Sequence, residues 1–253
     1  MTTASRIQPK HRASETVKGI IEALLIAIII RTFLFQPFNI PSGSMEPTLR
    51  IGDYLFVSKF SYGYGQYSLP ISFPLFSDRA FAAAPRHGDI VVFRQGSVDF
   101  IKRVIGLPGD RIQMIGGALY LNGHQVERQR VDDFVGRDPC GPSKAKEPLV
   151  RVPQWRETLP NGVSYDTLAC RTFAAFPDFT QVYIVPTGHL FMLGDNRENS
   201  EDSRFPDVGY VPFEDLIGRA QVIFFSIAPR QSPWEIWNWP WSIRWTRLLT
   251  VVR

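Results

Sequence analysis

The chain has 253 residues, 44% of them hydrophobic and 21% charged, which allows a sizeable core and excludes a disordered or low-complexity polypeptide. The formal net charge of +4 is modest and comes mainly from arginine, because the lysines are only Lys10, Lys18, Lys59, Lys102, Lys144 and Lys146. No zinc-type Cys/His spacing, HExxH, P-loop or GxGxxG occurs, so no cofactor is implied.

Residues 1–16 are polar and carry Arg6, Lys10, His11 and Arg12, after which Val17 to Phe35 is largely apolar. About 20 helical residues at roughly 1.5 Å each cover a ~30 Å hydrocarbon core, so this run reads as a membrane span. Lys18 and Glu22 fall toward its start and Arg31 toward its end, where a long side chain snorkels to the headgroups. Basic residues before the span place the N-terminus in the cytoplasm and the rest beyond about residue 37 on the far side. A cleaved signal peptide is the rival reading, but Phe35-Gln36-Pro37-Phe38-Asn39-Ile40 lacks a small-x-small cleavage pattern.

Next comes Asn39-Ile40-Pro41-Ser42-Gly43-Ser44-Met45-Glu46-Pro47-Thr48-Leu49. Pro41 favours an extended approach and Gly43 lets the chain bend, so Ser44 is presented openly; a nucleophile and a plain turn both suit these residues. A strand is expected at 54–60, then a loop over 61–85 whose Leu69, Ile71, Phe73, Leu75 and Phe76 are apolar for a solvated segment. Further strands are expected at 90–94, 99–105, 111–115 and 119–126 in an antiparallel meander, the last pair folding at Asn122-Gly123, a strong hairpin signal. The 20 prolines and 19 glycines agree with a β-rich body.

From 127 to 180 charge, proline and scattered aromatics mark an inserted smaller lobe, which holds Cys140 and Cys170. A bridge between them would close a loop of about 30 residues and add roughly 3 to 4 kcal/mol in the entropic account; two unpaired thiols are the other reading. Strands return at 181–185 and 189–193, and the second runs into the polar turn Gly194-Asp195-Asn196-Arg197-Glu198-Asn199-Ser200-Glu201-Asp202-Ser203-Arg204. That turn reads as a solvated loop or as a rigid support for something nearby. A strand over 218–227 precedes a tail that carries every tryptophan but Trp155, interleaved with Arg244, Arg247 and Arg253. Indoles beside arginines suit a membrane-water interface, and packing against the body is the alternative.

If Ser44 is a nucleophile it needs a base. His124 lies in a hairpin turn, His87 precedes a turn glycine, and no GxSxG elbow is present. Among lysines the candidates are Lys59 and Lys102. Strand alternation puts Phe100 and Val104 on the face of Lys102 and turns Arg103 away, so Lys102 sits on an apolar face. Burial lowers a lysine pKa from about 10.4 by up to about 3 to 5 units, enough to make a general base.

Ser42-Gly43-Ser44-Met45 with Pro47-Thr48-Leu49, then Phe100-Ile101-Lys102-Arg103-Val104-Ile105-Gly106-Leu107-Pro108-Gly109-Asp110, then Gly194-Asp195-Asn196-Arg197 with Asn199-Ser200 and Asp202-Ser203-Arg204, resemble in order and spacing the motif set of bacterial type I signal peptidases. The resemblance covers the transmembrane helix (17–36), which follows the cytoplasmic N-terminus (1–16), and implies a mainly β protein with an antiparallel β-rich catalytic body of the signal peptidase and self-cleaving repressor type (37–126 and 181–228); the inserted smaller β lobe (127–180) and the Trp/Arg-rich interface tail (229–253) correspond only to the family's variable regions. It implies a serine endopeptidase in the bacterial plasma membrane, acting on signal peptides of exported preproteins, touching membrane lipid, and needing no cofactor, metal, nucleic acid or obligate protein partner.

By the same resemblance Ser44 is the nucleophile, Lys102 the general base, Ser42 and the Ser44 N–H the oxyanion donors, and Ser200 the hydroxyl that orients the lysine. Asp195, Asp202 and Arg204 support the site, while Phe38, Ile40, Pro41, Met45, Phe100 and Ile101 fall at the substrate pockets. Two features depart from the family pattern: one span where some relatives have two, and Phe100 where tyrosine is frequent. The competing readings are a self-cleaving Ser-Lys repressor, which would need a DNA-binding N-terminal domain, and a membrane-anchored β scaffold without chemistry.

Overall fold

A computed structural model describes residues 9–67, 79–137, 139–141, 149–170, 178–229, 231 and 234–253. A helix, α1 (Pro9–Ile29), is followed by a π-helical turn over Ile30–Leu34 and by the first strand, β1 (Phe35–Asn39). The helix expected over 17–36 therefore starts and ends earlier. Phe35 and Gln36 pair instead with Ser58 and Val57 of β2 (Asp53–Ser58), because that pairing satisfies their backbone groups in a ladder. No helix among the described residues is long and apolar enough to cross a membrane. The apolar side chains of α1 nevertheless stand free: Ile20, Leu24, Leu25 and Ile28 are each more than half exposed.

The remaining strands are β3 (Ile90–Gln95), β4 (Val98–Gly106), β5 (Arg111–Ile115), β6 (Ala118–Leu121), β7 (His124–Gln125), β8 (Glu127–Arg130), β9 (Phe134–Gly136), β10 (Val150–Val152), β11 (Gln154–Thr158), β12 (Ser164–Leu168), β13 (Tyr183–Ile184), β14 (His189–Leu193), β15 (Val211–Pro212), β16 (Leu216–Ser226) and β17 (Thr250–Val251). An antiparallel eight-stranded sheet runs β1-β2-β16-β3-β4-β14-β15, with β17 paired to β16. Alternation along the strands buries both of its faces. Ile90, Val92 and Ile101 pack in one apolar cluster with Ile40, Met45 and Leu49, while Val91, Phe93, Phe100 and Val104 pack in another.

The expected meander is corrected beyond residue 110. Strands β5, β6 and β7 leave the main sheet and form a four-stranded sheet with β13, whose residues arrive much later in the chain. Ile112, Met114, Leu119 and Leu121 face Ile105, Phe191 and Leu193 in a third cluster, and that shared apolar surface fixes the second sheet to the first. The expected hairpin forms: Asn122 and Gly123 both have positive φ, 55° and 83°, as a tight two-residue turn requires. Strands β8, β11 and β12 make a three-stranded sheet, and β9 pairs with β10.

Cys140 and Cys170 are joined in a disulfide, with Cα atoms 5.5 Å apart. The apolar residues expected to be notable in the 61–85 loop, from Leu69 to Phe76, lie outside the described residues. Arg79 pins the loop's return, donating to the carbonyls of Tyr62, Gly63, Phe213 and Leu216. In the tail, Trp234, Trp237 and Trp241 are 86%, 68% and 84% exposed, whereas Arg244 and Arg247 turn inward onto the fully buried Asp53.

Candidate active site

The serine loop leaves the edge of the main sheet at Asn39 and rejoins it at Asp53. Met45 and Leu49, both at 0% exposure, anchor it in the core. Full burial of such side chains stabilises by about 2 kcal/mol each, so the serines ride on a fixed base. Gly43 is not demanded by crowding, since a Cβ there would meet its nearest atoms at 3.7 Å. Ser44 is buried and Ser42 exposed, with their hydroxyls 3.5 Å apart.

Strand β4 brings Lys102 to this loop. Its Nζ lies 2.7 Å from Ser44 Oγ, in a setting where the lysine is only 4% exposed. Burial pushes Lys102 down to about 8, against the upward pull of Asp202, Glu201 and Asp195. As an ammonium the amine donates to the serine; once neutral it carries a lone pair able to take the serine proton. Two of the histidines are engaged elsewhere: His87 Nε2 is 2.6 Å from Asp110 Oδ2, and His189 Nδ1 meets the Thr187 carbonyl.

The 194–204 turn is a buried, cross-linked support. Asp195 takes two bonds from Arg103, at 2.8 and 2.7 Å, and a third from Thr48 Oγ1. Arg204 grips Asp202 at 2.8 and 2.9 Å, and Asp202 also accepts the Gly194 N–H. Burial alone would raise Asp202, but Arg204 and the Gly194 N–H hold it below the usual carboxylate range. Arg197 makes a fork onto buried Glu157, which also accepts from Tyr165. Gly194 is demanded by space, because a Cβ would lie 2.2 Å from Ser200 Oγ and 2.6 Å from the Ser44 carbonyl.

Ser200 Oγ is thus beside the dyad, but it is buried without a hydrogen-bond partner among the described residues, Lys102 included. Phe38, Ile40, Met45 and Ile101 come together in one cluster. Phe100 points to the opposite face, stacked on Phe93 with ring centroids 5.7 Å apart and its ring 5.8 Å from Lys102 Nζ. Pro41 is exposed at the start of the serine loop. Thr48, Arg103, Gly194 and Asn196, which lie in the quoted motifs but had no role assigned, belong to this assembly, as does Glu157, which no motif contained. The one available signal was an arginine adjoining Lys102 on a strand too apolar to solvate it. Among the described residues no group of three or more His, Cys, Asp or Glu side chains is placed to hold a metal ion.

A family model described as signal peptidase, peptidase S26, matches residues 13–225. Signal peptidase I of Rickettsia typhi is 43% identical over 218 residues, covering 80% of this chain and 76% of the relative. Signal peptidase I of Rickettsia massiliae is 41% identical over 231 residues, covering 86% of this chain and 83% of the relative. A solved signal peptidase I from Enterococcus faecalis is 26% identical and covers 54% of this chain and 97% of its own, with a TM-score of 0.30, a superposition too loose to bear on the fold. The family match spans both serines, Lys102 and the 194–204 turn, and the chain belongs to the signal peptidase family, peptidase S26.

Proposed function

We propose that this chain is a membrane-bound serine endopeptidase that removes N-terminal signal peptides from exported preproteins after a small-x-small motif. The observation that carries the reading is the buried 2.7 Å approach of Lys102 Nζ to Ser44 Oγ. Neutral Lys102 takes the Ser44 proton as the hydroxyl attacks the scissile carbonyl, then gives it to the leaving amine. The Ser42 hydroxyl and the Ser44 N–H stabilise the oxyanion. Lys102 next activates the water that releases the acyl group. Ser200 completes the lysine's surroundings, its unpartnered hydroxyl being free to meet Lys102 when substrate closes the site.

The substrate adds as an extended strand along residues 38–44 and 99–102. In support, β1 is an edge of the main sheet, and β14 pairs β4 only from Arg103 onward, which leaves 98–102 unpaired on that side among the described strands. The cluster of Phe38, Ile40, Met45 and Ile101 supplies the pocket wall for small side chains. The apolar run 17–36, which begins within α1, is the single membrane span, with the N-terminus cytoplasmic and residues beyond about 37 on the outer side of the plasma membrane; the exposed leucines and isoleucines of α1 need an apolar solvent. The exposed tail tryptophans rest on the lipid.

Turnover of a preprotein by Ser42→Ala tests the assignment. One oxyanion donor is typically worth roughly 10²- to 10³-fold in kcat, so Ser42→Ala should lose that much while keeping the wild-type melting temperature. Full activity in that variant, or no cleavage by the wild type, would contradict the reading.

A further inference from the structure

Asn196 stands where the disulfide lobe meets the serine loop, and it is wholly buried, at 0% exposure. Its Nδ2 donates to the Gly43 carbonyl at 3.1 Å and to the Pro139 carbonyl at 2.7 Å. Its backbone N–H donates to the Ser44 carbonyl at 3.1 Å. Its Oδ1 lies 3.3 Å from Cys170 Sγ, a contact without a hydrogen, since that sulfur is bonded to Cys140. One side chain thus touches the peptide before Ser44, the residue before Cys140, and Cys170 itself.

In a planar trans peptide the C=O and N–H point in opposite directions. Fixing the Gly43 carbonyl on one side therefore fixes the Ser44 N–H on the other. Gly43 has no side chain to restrain that peptide, so its orientation must come from what binds it. Two donors do so: Asn196 Nδ2 and the Glu46 N–H, which also reaches the Gly43 carbonyl at 3.1 Å. Asn196 is itself held from the lobe. The Pro139 carbonyl takes a second bond from Asn199 Nδ2 at 2.7 Å, and the strand leading to Cys170 ties in through Leu168 N–H to the Asp195 carbonyl at 3.0 Å. Cys170 lies in an apolar cluster with Phe134, Val152 and Leu168, against which Cys140 packs.

We propose that Asn196 is a positioning residue, holding the Gly43–Ser44 peptide so that the Ser44 N–H faces the forming oxyanion, and that the Cys140–Cys170 disulfide fastens Asn196 in place. This rests on the reading of Ser44 as nucleophile and of its N–H as an oxyanion donor. Reduction of the disulfide frees Pro139 from Cys170 and loosens the peptide two residues across the interface, so peptidase activity is tied to the oxidised state of the lobe.

The test uses the full chain in detergent micelles and a peptide substrate with a small-x-small site, measuring kcat and KM separately across pH. Asn196→Leu, similar in volume but without N–H donors, should lower kcat by about 10- to 100-fold, because misplacement by about 1 Å costs on that scale. KM should stay within about threefold, and the pH of the acid limb should not move, since Lys102 is untouched. Treating the wild type with a phosphine, which with one water converts the S–S bond to two thiols, the phosphorus taking the water oxygen and the sulfurs its two protons, should lower kcat about 3- to 10-fold. The same treatment should leave Asn196→Leu unchanged.

Wild-type kcat in Asn196→Leu, or a shifted acid limb, overturns the positioning role. Unchanged kcat in the fully reduced wild type, or equal loss in both proteins, overturns the part played by the disulfide. If Asn196→Leu does not fold, Asn196→Gln, which keeps the donors but lengthens the side chain, takes its place in both arms, with the same outcomes expected. Cleavage by Ser44→Ala would sink the nucleophile reading itself, whereas an inactive Ser44→Ala beside a fully active Asn196→Leu sinks only the positioning role.

Discussion

Lys59 and Lys102 are both buried, at 1% and 4% exposure, and burial pushes both down to about 8. Their surroundings differ. Lys59 follows β2 at the root of the N-terminal helix, its backbone N–H on the Leu34 carbonyl, and the charge acting on it besides burial is Arg31, of like sign. Lys102 is partly compensated by Asp202, Glu201 and Asp195, and it faces a serine hydroxyl at 2.7 Å. A depressed lysine is therefore not by itself a base. Geometry singles out Lys102, whose amine has the Ser44 hydroxyl proton within reach.

The largest effect expected from that difference is on turnover. Lys102→Ala should lower kcat by on the order of 10⁴-fold, the upper range for a lost general base, while Lys59→Met stays within about threefold of wild type. A comparable loss in Lys59→Met would erase the distinction. Gly194→Ala comes next, because its Cβ must displace both Ser200 Oγ and the Ser44 carbonyl. A loss of about 10²-fold in kcat is expected. Wild-type kinetics in that variant would mean that the loop yields without disturbing the dyad.

The smallest effect is on stability. A lysine held near 8 when folded and at an ordinary 10.5 when unfolded penalises folding at all pH values below about 8. That penalty is relieved as pH rises from about 8 to 10.5, where the unfolded chain still binds the proton. Lys59→Met should therefore stabilise by about 1 to 2 kcal/mol at pH 7, with the gain fading toward pH 10.5. Chemical denaturation at both pH values measures it, and a gain that grows with pH would contradict the burial argument.

Local patterns were legible. Alternation in Phe100-Ile101-Lys102-Arg103-Val104 placed Lys102 with Phe100 and Val104, and the Asn122-Gly123 pair announced its hairpin, because both follow from neighbours in the chain. What escaped were partners brought together only by the fold. Arg103 meets Asp195 across 92 positions and Arg197 meets Glu157 across 40, and nothing near either arginine marks its mate. The β5–β7 strands looked like a continuation of the meander because a strand's pattern shows which face is buried, not which sheet buries it. Gly43 looked like the glycine that mattered, but the steric need lies at Gly194.

The most direct test of the account is the pH dependence of kcat/KM for a small-x-small peptide. Glu46, within the serine loop and pushed up to about 7 by burial, titrates close by, so the profile is taken with Glu46→Gln as well. The account predicts an acid limb centred at about 8, present in Glu46→Gln and in Lys59→Met, with activity falling tenfold per pH unit below it as Lys102 is protonated. A limb near the ordinary lysine value of 10.5, or one that moves when Lys59 is replaced, would contradict Lys102 as the base.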